Sequence, residues 1–127
     1  ASARTPAVPV TQSLEVVTSE RLQKLSGGNA QITQELLALF IEDLASLTAE
    51  AVEQLACGDL TRVHRAVHTL KSSAGEFGAT AFASTCRELE KLAAAGNKDE
   101  LTEKLPRLLE EQALVLRAMR KLQELVS

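Results

Sequence analysis

The sequence predicts an all-α protein: an up-down-up-down antiparallel four-helix bundle with a short extra helix at its N-terminal end. Three observations carry that expectation. Apolar residues recur in steps of three and four along four long segments, the spacing of a helix stripe packed against neighbours. Short Gly-, Asn- or Asp-containing junctions, at Ser26-Gly27-Gly28-Asn29, Gly58-Asp59, Gly78-Ala79-Thr80 and Gly96-Asn97, punctuate those segments. No stretch shows the period-two alternation of a half-buried strand.

The chain has 127 residues, enough for one domain core and too few for two. Residues 1–17 read as a linker or lead-in, since Ala1–Gln12 holds two of the three prolines and is otherwise mostly small or polar. Residues 18–127 then form the bundle. Thr18 is placed to cap a short helix through Leu25, which offers Leu22 and Leu25 as a small apolar face. Asn29 caps the first long helix, whose stripe is Ile32, Leu36, Phe40, Leu44, Leu47, Ala51 and Leu55, widened by Leu37 and Ile41. Gly58 supplies a left-handed stop and Asp59 caps the next helix, so the two must lie antiparallel.

That next helix carries Leu60, Val63, Val67, Leu70, Ala74 and Phe77 inward and ends near Gly78. Thr80 is expected to cap the following one, which turns Phe82, Cys86, Leu89 and Ala93 inward, with Leu92 alongside. Cys86 is most simply a core residue. Asn97 and Glu100 form a capping-box-like pair ahead of the last helix. Its stripe is Leu101, Leu105, Leu108, Gln112, Val115, Met119, Leu122 and Val126, and Pro106 is expected to kink it or loosen its first turn.

Composition removes several function classes. With 17 acidic and 14 basic residues the net charge is −3, so the basic footprint of a nucleic-acid binder is missing. Three Phe and no Trp or Tyr leave little for bases to stack on. No apolar run is long enough to span a bilayer, and no direct membrane contact is expected. No signal-peptide pattern appears at the start. Cys57 and Cys86 are too few and too far apart for a disulfide framework, which points to a reducing, cytoplasmic setting. No phosphate-binding loop, Gly-rich nucleotide motif or catalytic triad occurs, so an ATP-dependent activity of the segment itself is not expected.

One helix carries a second stripe beside its buried one: His64, His68, Lys71, Ser72 and Gly75. Residues three or four apart on a helix are neighbours, so Lys71 and Ser72 lie one turn beyond His68. Glycine in a helix interior costs about 1 kcal/mol relative to alanine, and serine is a mediocre helix former. A stripe selected for helix stability would not hold them. Ser72, Ser73, Ala74 and Gly75 clear the surface beside the imidazole so that another protein's backbone can approach. Lys71 adds a compact cation suited to an anion held there. A nucleophile, a cation and a cleared approach point to phosphoryl chemistry on His68.

His64 and His68 have the one-turn spacing of a zinc-binding pair, but no third histidine completes such a site and no Glu lies between them as in the metalloprotease motif. His64 therefore reads as a polar neighbour of the site, and no metal site is expected. Arg62, Arg65 and Arg87 either add positive charge around His68 or are solvated faces. The acidic runs Glu88-Leu89-Glu90 and Leu109-Glu110-Glu111 read as solvated faces.

The segment His68-Thr69-Leu70-Lys71-Ser72-Ser73-Ala74-Gly75-Glu76-Phe77-Gly78-Ala79 resembles the signature of histidine-containing phosphotransfer (HPt) domains. The resemblance extends through Leu36–Phe40 and Cys86–Glu90 and covers roughly Ser19 to the C-terminus. It implies a phosphorelay carrier of two-component signal transduction. His68 would accept a phosphoryl group from a receiver-domain aspartate and pass it to another, with Lys71 stabilising the group. His64, Arg65, Ser72 and Gly75 would line the docking surface for response-regulator receivers. No intrinsic cofactor is implied, and Mg²⁺ would come with the receiver. The family usually has Gly directly after the Lys, where this chain has Ser72. The Pro/Ala/Thr-rich start suggests a monomeric module at the C-terminal end of a hybrid sensor histidine kinase, with a free-standing HPt protein as the alternative. From a different class, the competing expectation is a non-catalytic helical adaptor that binds a partner through an apolar face and works without His68.

Overall fold

The computed structural model describes residues 13–126, all but a few of which lie in five helices: α1 (Leu14–Ser26), α2 (Ala30–Cys57), α3 (Leu60–Glu76), α4 (Thr80–Ala94) and α5 (Lys98–Val126). Helices α2 to α5 pack in a ring, each against the next and α5 back against α2, while α1 lies against α2 and α5. The core runs down the axis of that ring. Leu37, Phe40 and Leu44 of α2 meet Val63, Val67 and Leu70 of α3, Phe82, Cys86 and Leu89 of α4, and Leu101, Leu108 and Met119 of α5. Burying each large aliphatic or aromatic side chain contributes about 1.5–3 kcal/mol. None of the described helices is long and apolar enough to cross a membrane.

The junctions follow from local chemistry. Asn29 accepts at Oδ1 from Ile32 N at 3.0 Å, and Asp59 accepts from Arg62 N at 3.1 Å, so both cap as their residue types favour. Gly58 takes φ +80°, and the chain reverses within two residues, which leaves α2 and α3 antiparallel. Asn97 accepts from Glu100 N and returns its side-chain amide to Glu100 Oε1. Helix α5 continues without a break through Pro106, which is exposed. Gln112, at the centre of its stripe, is half-buried and donates to Leu44 O on α2. Gln34 donates to Val126 O at 2.6 Å and ties down the end of α5.

Three expectations about helix ends and faces are corrected. The first helix is capped by Ser13, whose hydroxyl accepts from Val16 N, and it begins at Leu14, inside the stretch read as linker. Residues 1–12 of that stretch lie outside the described residues. Thr18 is not a cap: it is buried within α1 and donates to Phe77 O at 2.7 Å, across the corner between α3 and α4. Thr80 does not cap α4 either. Ala79 occupies that position without a side-chain bond, because the turn is closed by backbone bonds, Ala79 N to Ala74 O at 2.8 Å and Thr80 N to Gly78 O at 2.9 Å. Ile32, placed on the buried stripe of α2, is 43% exposed because the first turn of α2 extends beyond the packed core.

The α3–α4 corner is the most heavily tied point of the fold. Beside the Thr18 bond, Arg21 Nη1 donates to Gly75 O and Glu76 O, each at 3.2 Å, satisfying carbonyls that a helix C-terminus leaves open. Phe77 packs on Phe40 with ring centroids 4.6 Å apart. Gly78 sits at φ +85°, and a Cβ there would meet Val17 Cγ1 at 2.4 Å. Gly75, one turn earlier, is helical, and a Cβ there would meet nothing within 4 Å. The two glycines should therefore respond oppositely to alanine. Chemical denaturation should show Gly78→Ala losing roughly 1–3 kcal/mol through backbone strain and displacement of α1. The same measurement should show Gly75→Ala gaining up to about 1 kcal/mol from helix propensity.

Candidate functional site

Helix α3 places His64, His68, Lys71, Ser72 and Gly75 on one face, as its 3.6-residue period requires. His68 is 55% exposed and Lys71 26% exposed, while Ser72 and Gly75 lie open on the surface. His64 is 41% exposed and stands at the edge facing α4. The small-residue run thus forms bare ground next to an accessible imidazole.

The centre of the site is a residue whose sequence context suggests a solvated face. Glu90 of α4 has only 14% of its side chain exposed and lies across the α3–α4 groove. Its Oε1 accepts from Lys71 Nζ at 2.6 Å, and its Oε2 forms a close hydrogen bond with His68 Nδ1. His64 Nε2 lies 3.7 Å from the same Oε2. Glu90 follows Leu89, a fully buried residue, and succeeds Cys86 by one helical turn. It therefore flanks the inward stripe rather than opposing it. That position relative to Cys86 and Leu89 was the one signal available in sequence, and it places the residue beside α3 only once the α3–α4 packing is known.

Electrostatics fixes the protonation pattern. The hydrogen bond from Lys71, then that from His68, holds the Glu90 carboxyl below its ordinary value against the opposing effect of desolvation. An ionised carboxylate can only accept, so the hydrogen bond to His68 requires the proton on Nδ1. In the neutral imidazole the other ring nitrogen, Nε2, then keeps its lone pair, and it has no protein partner among the described residues. Beneath the site, burial, reinforced by the Glu111 and Glu90 carboxylates, pushes the Cys86 thiol up to about 12. It is an unionised core group, in agreement with its place on the buried stripe.

The remaining expected residues separate. Arg62 pairs with Asp59 at 3.6 Å rather than with the imidazole. Arg65 and Arg87 are exposed and make no side-chain ion pair among the described residues. Glu111, also read as solvated, is half-buried, and its Oε1 is enclosed without a hydrogen-bond partner. Glu110 is exposed, as expected. Among the described residues no group of three or more His, Cys, Asp or Glu is arranged to hold a metal ion.

Residues 35–125 match the sequence profile of a protein family described as Hpt domain. The fold is similar to the crystal structure of histidine-containing phosphotransfer protein B (HptB) from Pseudomonas aeruginosa PAO1. That similarity has a TM-score of 0.75 and 22% sequence identity, and it covers 83% of this chain and 91% of the other. No curated protein matches the chain by sequence.

The ionised state of Glu90 makes a prediction about stability. A carboxyl whose folded pKa lies below its unfolded value contributes stability above the ordinary value of 4.5, and that contribution is lost as pH falls through the folded value. Glu90→Gln should therefore lower stability by roughly 1.5–3 kcal/mol at pH 7, the scale of a hydrogen bond to a charged group. The gap from the unmodified protein should shrink steadily as urea titrations are repeated below pH 4.5.

Proposed function

The chain belongs to the Hpt domain family and so serves histidine phosphotransfer in phosphorelay signalling; on that premise we propose that His68 is the residue that carries the phosphoryl group. The observation that supports this most directly is the hydrogen bond between His68 Nδ1 and Glu90 Oε2. In the neutral ring it directs the lone pair to Nε2 on the side away from Glu90, the state a nucleophile needs.

Hpt domains exchange phosphoryl groups with receiver domains, and the step at His68 follows. The Nε2 lone pair forms a bond to phosphorus as the phosphorus–oxygen bond to a receiver aspartate breaks, and the aspartate leaves as a carboxylate. The ring keeps its Nδ1 proton and becomes cationic, and the adjacent Glu90 carboxylate stabilises that developing charge. Lys71 uses one of its three N–H donors on Glu90 Oε1, and its others remain to meet a phosphoryl oxygen. Transfer to a second receiver is the reverse step. Phosphoryl transfer is largely positioning and charge stabilisation, so this half of the site needs little more. Mg²⁺ is in this reading supplied by the receiver. The free thiols of Cys57 and Cys86 support a reducing, cytoplasmic setting.

Docking falls on the bare stripe of Ser72 and Gly75, with His64 and Arg65 along its edge. Ser72 is exposed and one turn from His68, so its side chain lies in the path of an approaching receiver. Incubation with a phosphorylated receiver domain, followed by assay for acid-labile, base-stable phosphate, tests the reading. His68→Gln should abolish uptake while circular dichroism stays unchanged and stability falls by no more than about 1.5 kcal/mol, the scale of the lost bond to Glu90. Phosphate retained on that variant would reject the assignment. Ser72→Leu should cut the transfer rate at least about tenfold, equivalent to roughly 1.4 kcal/mol of lost transition-state binding, and should leave the fold intact. Ser72→Gly should transfer at the unmodified rate or faster. An undiminished rate for Ser72→Leu would move the docking surface elsewhere.

A further inference from the structure

His64 is left over by the transfer step, yet its placement is specific. It stands one turn before His68, and the two imidazoles are parallel, with centroids 6.2 Å apart and 6° between their planes. Their polar contacts converge on one atom, since Glu90 Oε2 bonds His68 Nδ1 and lies 3.7 Å from His64 Nε2. The other oxygen, Oε1, is held by Lys71. Around His64 the rest of the lining is Leu60 and Thr61 from α3 and Ala93 and Ala94 from α4. The charged or titratable groups facing this cluster are thus His68 and Lys71 from α3 and Glu90 from α4. Helix α2, the other element packed on α3, brings no charged side chain into ion-pair range of either imidazole among the described residues.

An imidazole is the side chain that exchanges a proton in the physiological range, and once protonated it carries N–H donors on both nitrogens. Resting on the assignment of His68 as phosphoacceptor, we propose that His64 is a positioning residue that acts through Glu90: on protonation it draws Oε2 away from His68 Nδ1 and suppresses phosphoryl acceptance.

Two consequences have the same sign. Loss of the Oε2 contact lets the His68 proton move to Nε2, the atom that must attack. A fixed positive ring about 6 Å away also opposes the cation that forms on His68 as Nε2 bonds phosphorus. Neutral His64 leaves Oε2 to His68, and the site is then competent.

The test compares the full chain with His64→Phe, which keeps a flat ring and cannot be protonated, and with His64→Lys, a permanent cation. Transfer from one phosphorylated receiver is measured from pH 8 to pH 5.5, and each rate is divided by that of His64→Phe at the same pH. The division cancels the receiver's own pH dependence. The ratio for the unmodified protein should fall roughly threefold or more from its own pH 8 value by pH 5.5, the scale of one unit charge at this distance in a well-hydrated site. His64→Lys should be slow at both ends. In the unmodified protein, nitrogen-15 spectra of the ring should show the His68 tautomer shifting in step with protonation of His64. That measurement stands even if a variant fails to fold. A flat ratio, or a His68 tautomer that ignores His64, overturns the proposal while leaving His68 as phosphoacceptor. Phosphate mapped to any residue other than His68 overturns the assignment on which it rests.

Discussion

The bond network around Glu90 organises the site, and it exists only because α3 and α4 pack closely. One carboxylate accepts from a lysine and from a histidine one turn apart on the facing helix. Its ionisation is maintained by those partners against the desolvation that packing imposes. Each member defines the others. Lys71 keeps Glu90 charged, charged Glu90 orients the His68 ring and fixes its tautomer, and the ring then presents Nε2 to solvent. If one partner is removed, a mostly enclosed charge is left undersatisfied, which is costlier than never having had the pair.

The groove that brings these groups together is held at its far end by the α3–α4 corner. There Thr18 and Arg21 of α1 bond the carbonyls of Phe77, Gly75 and Glu76, and Phe40 stacks against Phe77. Gly78 lets the chain turn under Val17 where any side chain would collide. The corner allows α3 to end in a poorly helix-forming run, Ser72-Ser73-Ala74-Gly75, without fraying. Tertiary bonds supply the stability that local propensity withholds. The bare stripe and the reinforced corner are in this sense one arrangement, a surface cleared of side chains and stabilised from behind.

The carrier role follows from how little the site contains. It has an exposed imidazole, a carboxylate that holds one of the ring nitrogens, and a cation with donors to spare. Its surface is open instead of forming an enclosed pocket. Such an open site suits a reaction whose remaining groups arrive with a partner protein.

The sequence by itself determined the all-α bundle, the four helix junctions, the Asn29, Asp59 and Asn97 caps, the Cys86 core position and the shared face of His68, Lys71, Ser72 and Gly75. These follow from period, cap chemistry and glycine placement within one helix, all of which are local. The roles of Thr18 and Glu90 were decided by the tertiary structure. A threonine reads locally as a cap, but the buried carbonyl of Phe77, 59 residues away, claims the Thr18 hydroxyl. A glutamate beside a buried leucine reads as solvated until the facing helix brings a histidine and a lysine to within bonding distance. Helical periodicity states which face a residue occupies; only the packing of α4 on α3 states what that face meets, because contacts between segments 19 and 22 residues apart depend on helix crossing and rotation, which no single helix encodes.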